Sequence, residues 1–187
     1  GTATIYSGDS GSEVSLNNSG GGIYSLIGGN GVDLLTGGPE DDTLTGGLGN
    51  DNFNITSGTD TVTDLTTGDI LIVSSGAMAN ATSVSQFIAT NNTINNGTAN
   101  IYSGDAGSDI SLNNSGGGGY SLIGGTGVDR LIGGNGNDTI NGANGNDNLN
   151  GFAGSNILTG GNGNDTFNVT SGVDTITDLS TGDILQV

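Results

Sequence analysis

Eleven aspartates and one asparagine recur at nine-residue intervals in two series: Asp33, Asp42, Asp51, Asp60 and Asp69, then Asp129, Asp138, Asp147, Asn156, Asp165, Asp174 and Asp183. Such a ladder of carboxylates is a ligand set for a cation. The chain holds no Cys and no His, which removes the thiolate and imidazole ligands that zinc and copper favour. Hard oxygen ligands are left, and calcium takes six to eight of them, from carboxylates and backbone carbonyls alike. Glycines surround the acids: Gly28, Gly31, Gly46 and Gly49 in the first series, Gly124, Gly127, Gly133, Gly136, Gly142, Gly145, Gly160 and Gly163 in the second. A Gly-rich loop can turn its carbonyls inward because Gly adopts backbone angles closed to other residues. One loop cannot encircle an ion, so stacked loops two units apart should each supply half a site. Asp33 would then pair with Asp51, Asp129 with Asp147, Asp138 with Asn156, and Asp147 with Asp165. Off the ladder, Asp9, Glu13 and Asp105 read as solvated surface acids.

The units that must position these acids run without a break from Gly124 to Asn168 as GGTGVDRLI, GGNGNDTIN, GANGNDNLN, GFAGSNILT and GGNGNDTFN. In each, six residues rich in Gly, Asn and Asp form a turn, and three residues around one large apolar side chain form a short strand. Those side chains are Leu131, Ile140, Leu149, Leu158 and Phe167. Clear nonads also occupy residues 28–36, 37–45 and 46–54, and the phase continues through 55–72 and 169–186 while glycines are lost. Repeats whose faces are buried only by their neighbours build a solenoid.

The chain is two copies of one long unit. Residues from Gly1 realign at Gly97, an offset of 96, and residues from Asn50 realign at Asn164, an offset of 114. The difference, 114 − 96 = 18 residues, is two nonads. If successive strands lie on opposite sheets, two nonads are one full coil, and adding a coil changes length without changing which edge a loop faces. The expected layout is a first unit at 1–73 (cap strands 1–27, roll 28–73), a linker at 74–96, and a second unit at 97–187 (cap strands 97–123, roll 124–187). Ile5, Val14 and Ile23 are nine apart, and Leu26 and Leu122 extend the apolar ladder backwards by one rung. In the linker, SVSQFIAT around Val84, Phe87 and Ile88 reads as one or two helical turns after a Ser cap, or equally as a loop covering a coil end.

These nonads resemble the RTX, or haemolysin-type calcium-binding, repeat GGxGxDxUx, closely over 28–54 and 124–168 and loosely over 55–72 and 169–186. The resemblance implies an all-β fold, a right-handed parallel β-roll (a β-helix-like solenoid), here as two tandem rolls. It also implies several calcium ions between successive loops and folding in calcium-rich surroundings outside the cell. Departures bear on single sites. Pro39 and Glu40 alter one loop, where Asp41 or Glu40 could reach the ion. Phe152 and Asn156 replace Gly and Asp, so the site shared with Asp138 is expected to be weak or empty. Asp69 and Asp183 sit where most glycines are gone, and a turn-stabilising role is as good a reading for them as ligation.

Composition sets the outer limits. With 19 acidic residues against one basic residue, Arg130, the net charge is −18, which excludes ordinary binding to nucleic-acid phosphates. No apolar run approaches transmembrane length and no signal peptide is visible. Gly1 begins in mid-pattern, so the chain reads as a segment of a longer protein. GDSG at residues 8–11 resembles a serine-protease neighbourhood, but the chain has no His to act as base and the second copy reads GDAG. Tyr6, Tyr24, Tyr102 and Tyr120 recur with the long unit as strand-face packing. The expectation is a non-enzymatic structural module of a secreted or cell-surface bacterial protein of the adhesin, sheath or S-layer type. Self-association into a fibre or layer would fit it. The alternative is an accessory secretion and folding domain beside an enzyme or toxin domain elsewhere.

Overall fold

A computed structural model of the chain describes residues 1–16 and 21–187, and these form strands and turns with no helix. Part of the first expected cap, residues 17–20, lies outside the described residues. All strand pairs are parallel, as a coil that always advances in one direction requires. One long sheet of ten strands runs from end to end: Thr2–Tyr6, Ile23–Asn30, Thr43–Leu48, Thr59–Val62, Met78–Val84, Thr98–Ser103, Tyr120–Ile123, Thr139–Asn144, Ser155–Asn162 and Val173–Ile176. Two short sheets of six strands each cover its other side. The first holds Glu13–Ser15, Leu34–Thr36, Asn52–Ile55, Ile70–Val73, Ile94–Asn95 and Gly116–Gly117; the second holds Gln86–Ile88, Asp109–Ser111, Arg130–Ile132, Asn148–Asn150, Thr166–Asn168 and Ile184–Gln186.

In the nonad segments the register bears out the coil length. Ser25 lies opposite Thr43, Leu34 opposite Asn52 and Leu131 opposite Leu149, each pair 18 residues apart. Because strand side chains alternate between faces, the middle residue of each triplet always points inward. On the long sheet the inward column is Ile5, Leu26, Leu44, Val62, Ala81, Ile101, Leu122, Ile140, Leu158 and Ile176. Facing it are Val14, Leu35, Phe53 and Leu71 in the first short sheet, and Phe87, Ile110, Leu131, Leu149, Phe167 and Leu185 in the second. These columns make a core one side chain deep. That is how a chain poor in apolar residues still buries enough of them.

The non-nonad segments depart from the sequence expectations. Residues 74–96 form neither a helix nor a covering loop: Met78–Val84, Gln86–Ile88 and Ile94–Asn95 put one strand into each of the three sheets. The neighbouring coils pair with this backbone on both sides, which outweighs a short helical propensity. Phe87 and Ala89 are buried in the core while Ile88 faces outward, the alternation of a strand. Strand Thr98–Ser103, expected in a cap, pairs on both sides as well, with Met78–Val84 and Tyr120–Ile123. Ile23 does not join the apolar ladder; it lies opposite Thr2 and is 53% exposed. The first coil is 21 residues long there, Thr2 to Ile23, so the nine-residue phase is broken.

Candidate calcium sites

The turns carry the acids to two opposite edges of the roll, where they point inward. Asp33, Asp42, Asp51, Asp60, Asp69, Asp129, Asp138, Asp147, Asn156 and Asp165 are all buried, and Asp174 and Asp183 are half-buried. Stacking follows the 18-residue period. The N–H of Asp33 donates to Asp51 Oδ1 at 2.9 Å and that of Asp51 to Asp69 Oδ1 at 2.8 Å. In the second copy Asp129, Asp147 and Asp165 donate in turn to Asp147, Asp165 and Asp183 at 2.8, 2.9 and 2.8 Å. On the other edge Asp42 donates to Asp60 and Asp138 to Asn156. The expected pairs Asp33–Asp51, Asp129–Asp147, Asp138–Asn156 and Asp147–Asp165 are thus neighbours along each edge. Ser12 N–H and Ser7 Oγ–H close the ladder at Asp33, and Ser108 Oγ–H at Asp129.

A buried row of like charges is unfavourable without a counter-ion. Burial pushes the Asp60 carboxyl up to about 7, with the charges of Asp42 and Asp41 adding to it. Asp147 is pushed up to about 6 by burial and then by Asp129 and Asp165. Burial also raises Asp51, Asp69, Asp138 and Asp165. Asp183 is lowered, because the N–H groups of Asp165 and Ser180 bind its carboxylate. Asp60, Asp147 and Asp174 each keep a buried Oδ2 with no hydrogen-bond partner.

The free oxygens of Asp60 and Asp147 border hollows that only glycine leaves open. A Cβ on Gly142 would strike Asp147 Oδ2 and come within 2.6 Å of Gly160 O, the carbonyl of the next coil; on Gly133 it would strike Asp138 Oδ2 and meet Gly151 O at 2.6 Å. Over Gly28 and Gly124 the same pairing recurs, Asp33 Oδ2 with Gly46 O and Asp129 Oδ2 with Gly142 O. Gly37 faces two carboxylates, Asp60 Oδ2 at 2.8 Å and Asp42 Oδ2 at 2.9 Å from its Cβ position. Among the described residues no three acidic side chains converge on one point. The hollows at Gly28, Gly124, Gly133 and Gly142 each combine one carboxylate with one carbonyl of the next coil, and that at Gly37 joins two carboxylates, hard oxygens of the kind calcium takes. At Gly151 the oxygen is replaced by the Asn156 amide nitrogen, which also donates to Asp174 Oδ1 at 2.7 Å. That hollow presents a donor where the others present an acceptor.

The loops come in two conformations that the repeated sequence did not distinguish. In one, the N–H at the second nonad position donates to Oδ2 of the loop's own aspartate: Gly29 to Asp33, Gly38 to Asp42, Gly125 to Asp129 and Gly134 to Asp138, at 3.0, 2.6, 3.0 and 2.8 Å. In the other, the second residue is left-handed, with φ of 102° at Gly47, 74° at Ala143, 66° at Phe152 and 99° at Gly161. Its N–H then goes to an acceptor outside the loop: Asp64, Asn141, Asn150 and Asp178, respectively. Sequence reasoning passed over these four residues, although an Asp at the first nonad position recurs in both copies. Asp69 and Asp183 bind the N–H groups of Thr66 and Ser180 three residues before them, consistent with a turn-stabilising role. Glu40 is exposed, and Asp41 accepts the Thr59 N–H.

The family model of the RTX calcium-binding nonapeptide repeat (four copies) matches residues 27–62, 123–155 and 144–176. No curated protein and no solved structure matches the chain. Among the described residues no helix is long and apolar enough to cross a membrane.

Proposed function

The nonads of this chain belong to the RTX calcium-binding nonapeptide-repeat family, and from that premise we propose that the molecule is a calcium-set rod. It serves as a non-enzymatic structural module of a bacterial adhesin, sheath or S-layer protein, outside the cell. The carrying observation is the long sheet, which passes through both copies of the unit without interruption. Ten strands at the usual inter-strand spacing make about 45 Å of length, and each further copy would add to it.

Bound calcium would supply the positive charge that the edges lack. Asp51, Asp60, Asp147, Asp165 and Asp174, with carbonyls such as Gly46 O and Gly160 O, are the groups placed to hold it. If each site had a dissociation constant of roughly 10⁻⁴ M, millimolar calcium would stabilise the fold by about 1.4 kcal/mol per site. Four sites would give about 6 kcal/mol, comparable with the whole stability of a small domain. At roughly 10⁻⁷ M calcium the same expression gives almost nothing, so the rod sets only where calcium is plentiful. Circular dichroism and small-angle scattering in EGTA and in millimolar calcium test this. An expanded chain that becomes a β-rich rod is expected; identical folded states in both would sink the reading.

A further inference from the structure

Given the calcium reading above, we propose that Asp64, Asp178 and Asn141, which stand outside the sixth-position ladder, are positioning residues that hold the loops beside them in the calcium-accepting conformation. The difference between the two loop conformations lies in one peptide group. When the second-position N–H turns to its own aspartate, that carboxylate is engaged at both oxygens, as in Asp33, whose Oδ1 also accepts from Ser12. When the N–H turns outward, the aspartate keeps Oδ2 clear of it. Asp147 shows the result: Ala143 donates to Asn141 Oδ1 at 3.0 Å, and Asp147 Oδ2 is left buried and unpartnered.

The outside acceptor also aims a carbonyl. A peptide group is planar, so fixing its N–H fixes the C=O of the preceding residue. Asp178 accepts from Gly160 N–H at 2.8 Å and Gly161 N–H at 2.7 Å. Holding Gly161 N–H sets the direction of Gly160 C=O, the carbonyl that shares the Gly142 hollow with the free Asp147 oxygen. Asp64 repeats the arrangement in the first copy, accepting from Gly46 and Gly47 at 2.9 and 2.8 Å, and Gly46 C=O overhangs Gly28 beside Asp33. Both acids stand at the first nonad position, where a Gly would offer no acceptor.

Groups that orient metal ligands without touching the metal typically change affinity 10–100-fold when removed. Calcium titration by calorimetry and native mass spectrometry on the whole chain, with Asp178→Asn and Asn141→Ala, tests the assignment. The variants act on different peptide groups bordering one hollow, so a folding failure of one leaves the other informative. Each is expected to weaken at least one ion 10–100-fold while keeping the wild-type β spectrum in saturating calcium. Wild-type protein that takes up no calcium would overturn the calcium reading itself. Wild-type uptake with both variants titrating like it would overturn the positioning role alone. Equal destabilisation in calcium and in EGTA, the latter with an osmolyte that keeps the calcium-free chain folded, would also overturn it, since that is what a purely strand-terminating hydrogen bond produces.

Discussion

Replacing Asp147 with Asn separates the two demands placed on a buried nonad acid. The chain already contains this change at Asn156, whose Oδ1 accepts the Asp138 N–H at 2.8 Å just as Asp147 Oδ1 accepts the Asp129 N–H. Backbone stacking should therefore survive. What disappears is a buried charge, whose carboxyl is pushed up to about 6 by burial and then by the charges of Asp129 and Asp165. A rise of about two pH units corresponds to ~3 kcal/mol, and screening by water and salt along the edge reduces this to ~1–2 kcal/mol. Calcium-free Asp147→Asn should be more stable than wild type by that amount. In 1 mM calcium the carboxylate is a ligand, and a tenfold weaker site would contribute ~0.4 instead of ~1.4 kcal/mol. The calcium-induced gain should therefore shrink by ~1 kcal/mol, or about 2–4 °C in melting temperature for a chain of this size. Urea unfolding in EGTA and in calcium measures both quantities, with an osmolyte added to the calcium-free samples to bring the transition into range. A variant equally destabilised in both conditions would show that Asp147 serves only as a hydrogen-bond acceptor, and the reasoning would fail.

Three other outcomes follow from the same geometry. Carboxyls raised in the fold, Asp60 to about 7 and Asp147 to about 6, bind more protons folded than unfolded, so calcium-free stability should rise as pH falls from about 7.5 to about 5. Denaturant midpoints in EGTA, with the same osmolyte present, check the sign across that range, and calcium should reverse it, because protons and calcium compete for the same oxygens. Gly37→Ala should weaken calcium binding on its edge, since the added methyl would sit 2.8 and 2.9 Å from Asp60 Oδ2 and Asp42 Oδ2; a calorimetric titration matching wild type would count against that hollow. Phe152→Gly should raise thermal stability by ~1 kcal/mol or less, because a non-Gly residue at φ 66° pays a left-handed penalty of ~1–2 kcal/mol that the greater chain entropy of Gly partly offsets.

Much of the rod could be read from spacing, because in the nonads one residue does one job. Leu26 and Leu122 extend the inward column as the phase demands, and the 18-residue coil follows from the two offsets of the duplication. Where glycine is lost, local signals mislead. SVSQFIAT carries a Ser and an apolar spacing that suit a short helix, yet Gln86–Ile88 opens a sheet, because pairing with the adjoining coils is a non-local gain that no local pattern encodes. The loop conformations were hidden for a different reason. GGNG at 133–136 and GGNG at 160–163 are the same string, but Gly134 donates to Asp138 and Gly161 to Asp178. The deciding acceptor stands 17 residues further along the chain.

The hand-over between the short sheets accounts for how a unit of unequal halves can still make one rod. In the coils from Met78 to Asn95 and from Thr98 to Gly117 the chain lays down one strand in each of the three sheets, so the second short sheet begins before the first has ended. These coils are longer than a nonad pair, 20 residues from Met78 to Thr98 and 21 from Ala99 to Tyr120. The extra residues supply the third side. The long sheet keeps its inward column through Ala81 and Ile101, so stacking is never lost while the opposite face changes partner. The acids resume beyond this region on either side, at Asp69 and at Asp129. On the calcium reading, stiffness set by the ion is confined to the nonad stretches, and the coils between them hold together by apolar packing, backbone pairing and side-chain bonds such as Asn100 Nδ2–H to Asn80 Oδ1 at 2.9 Å.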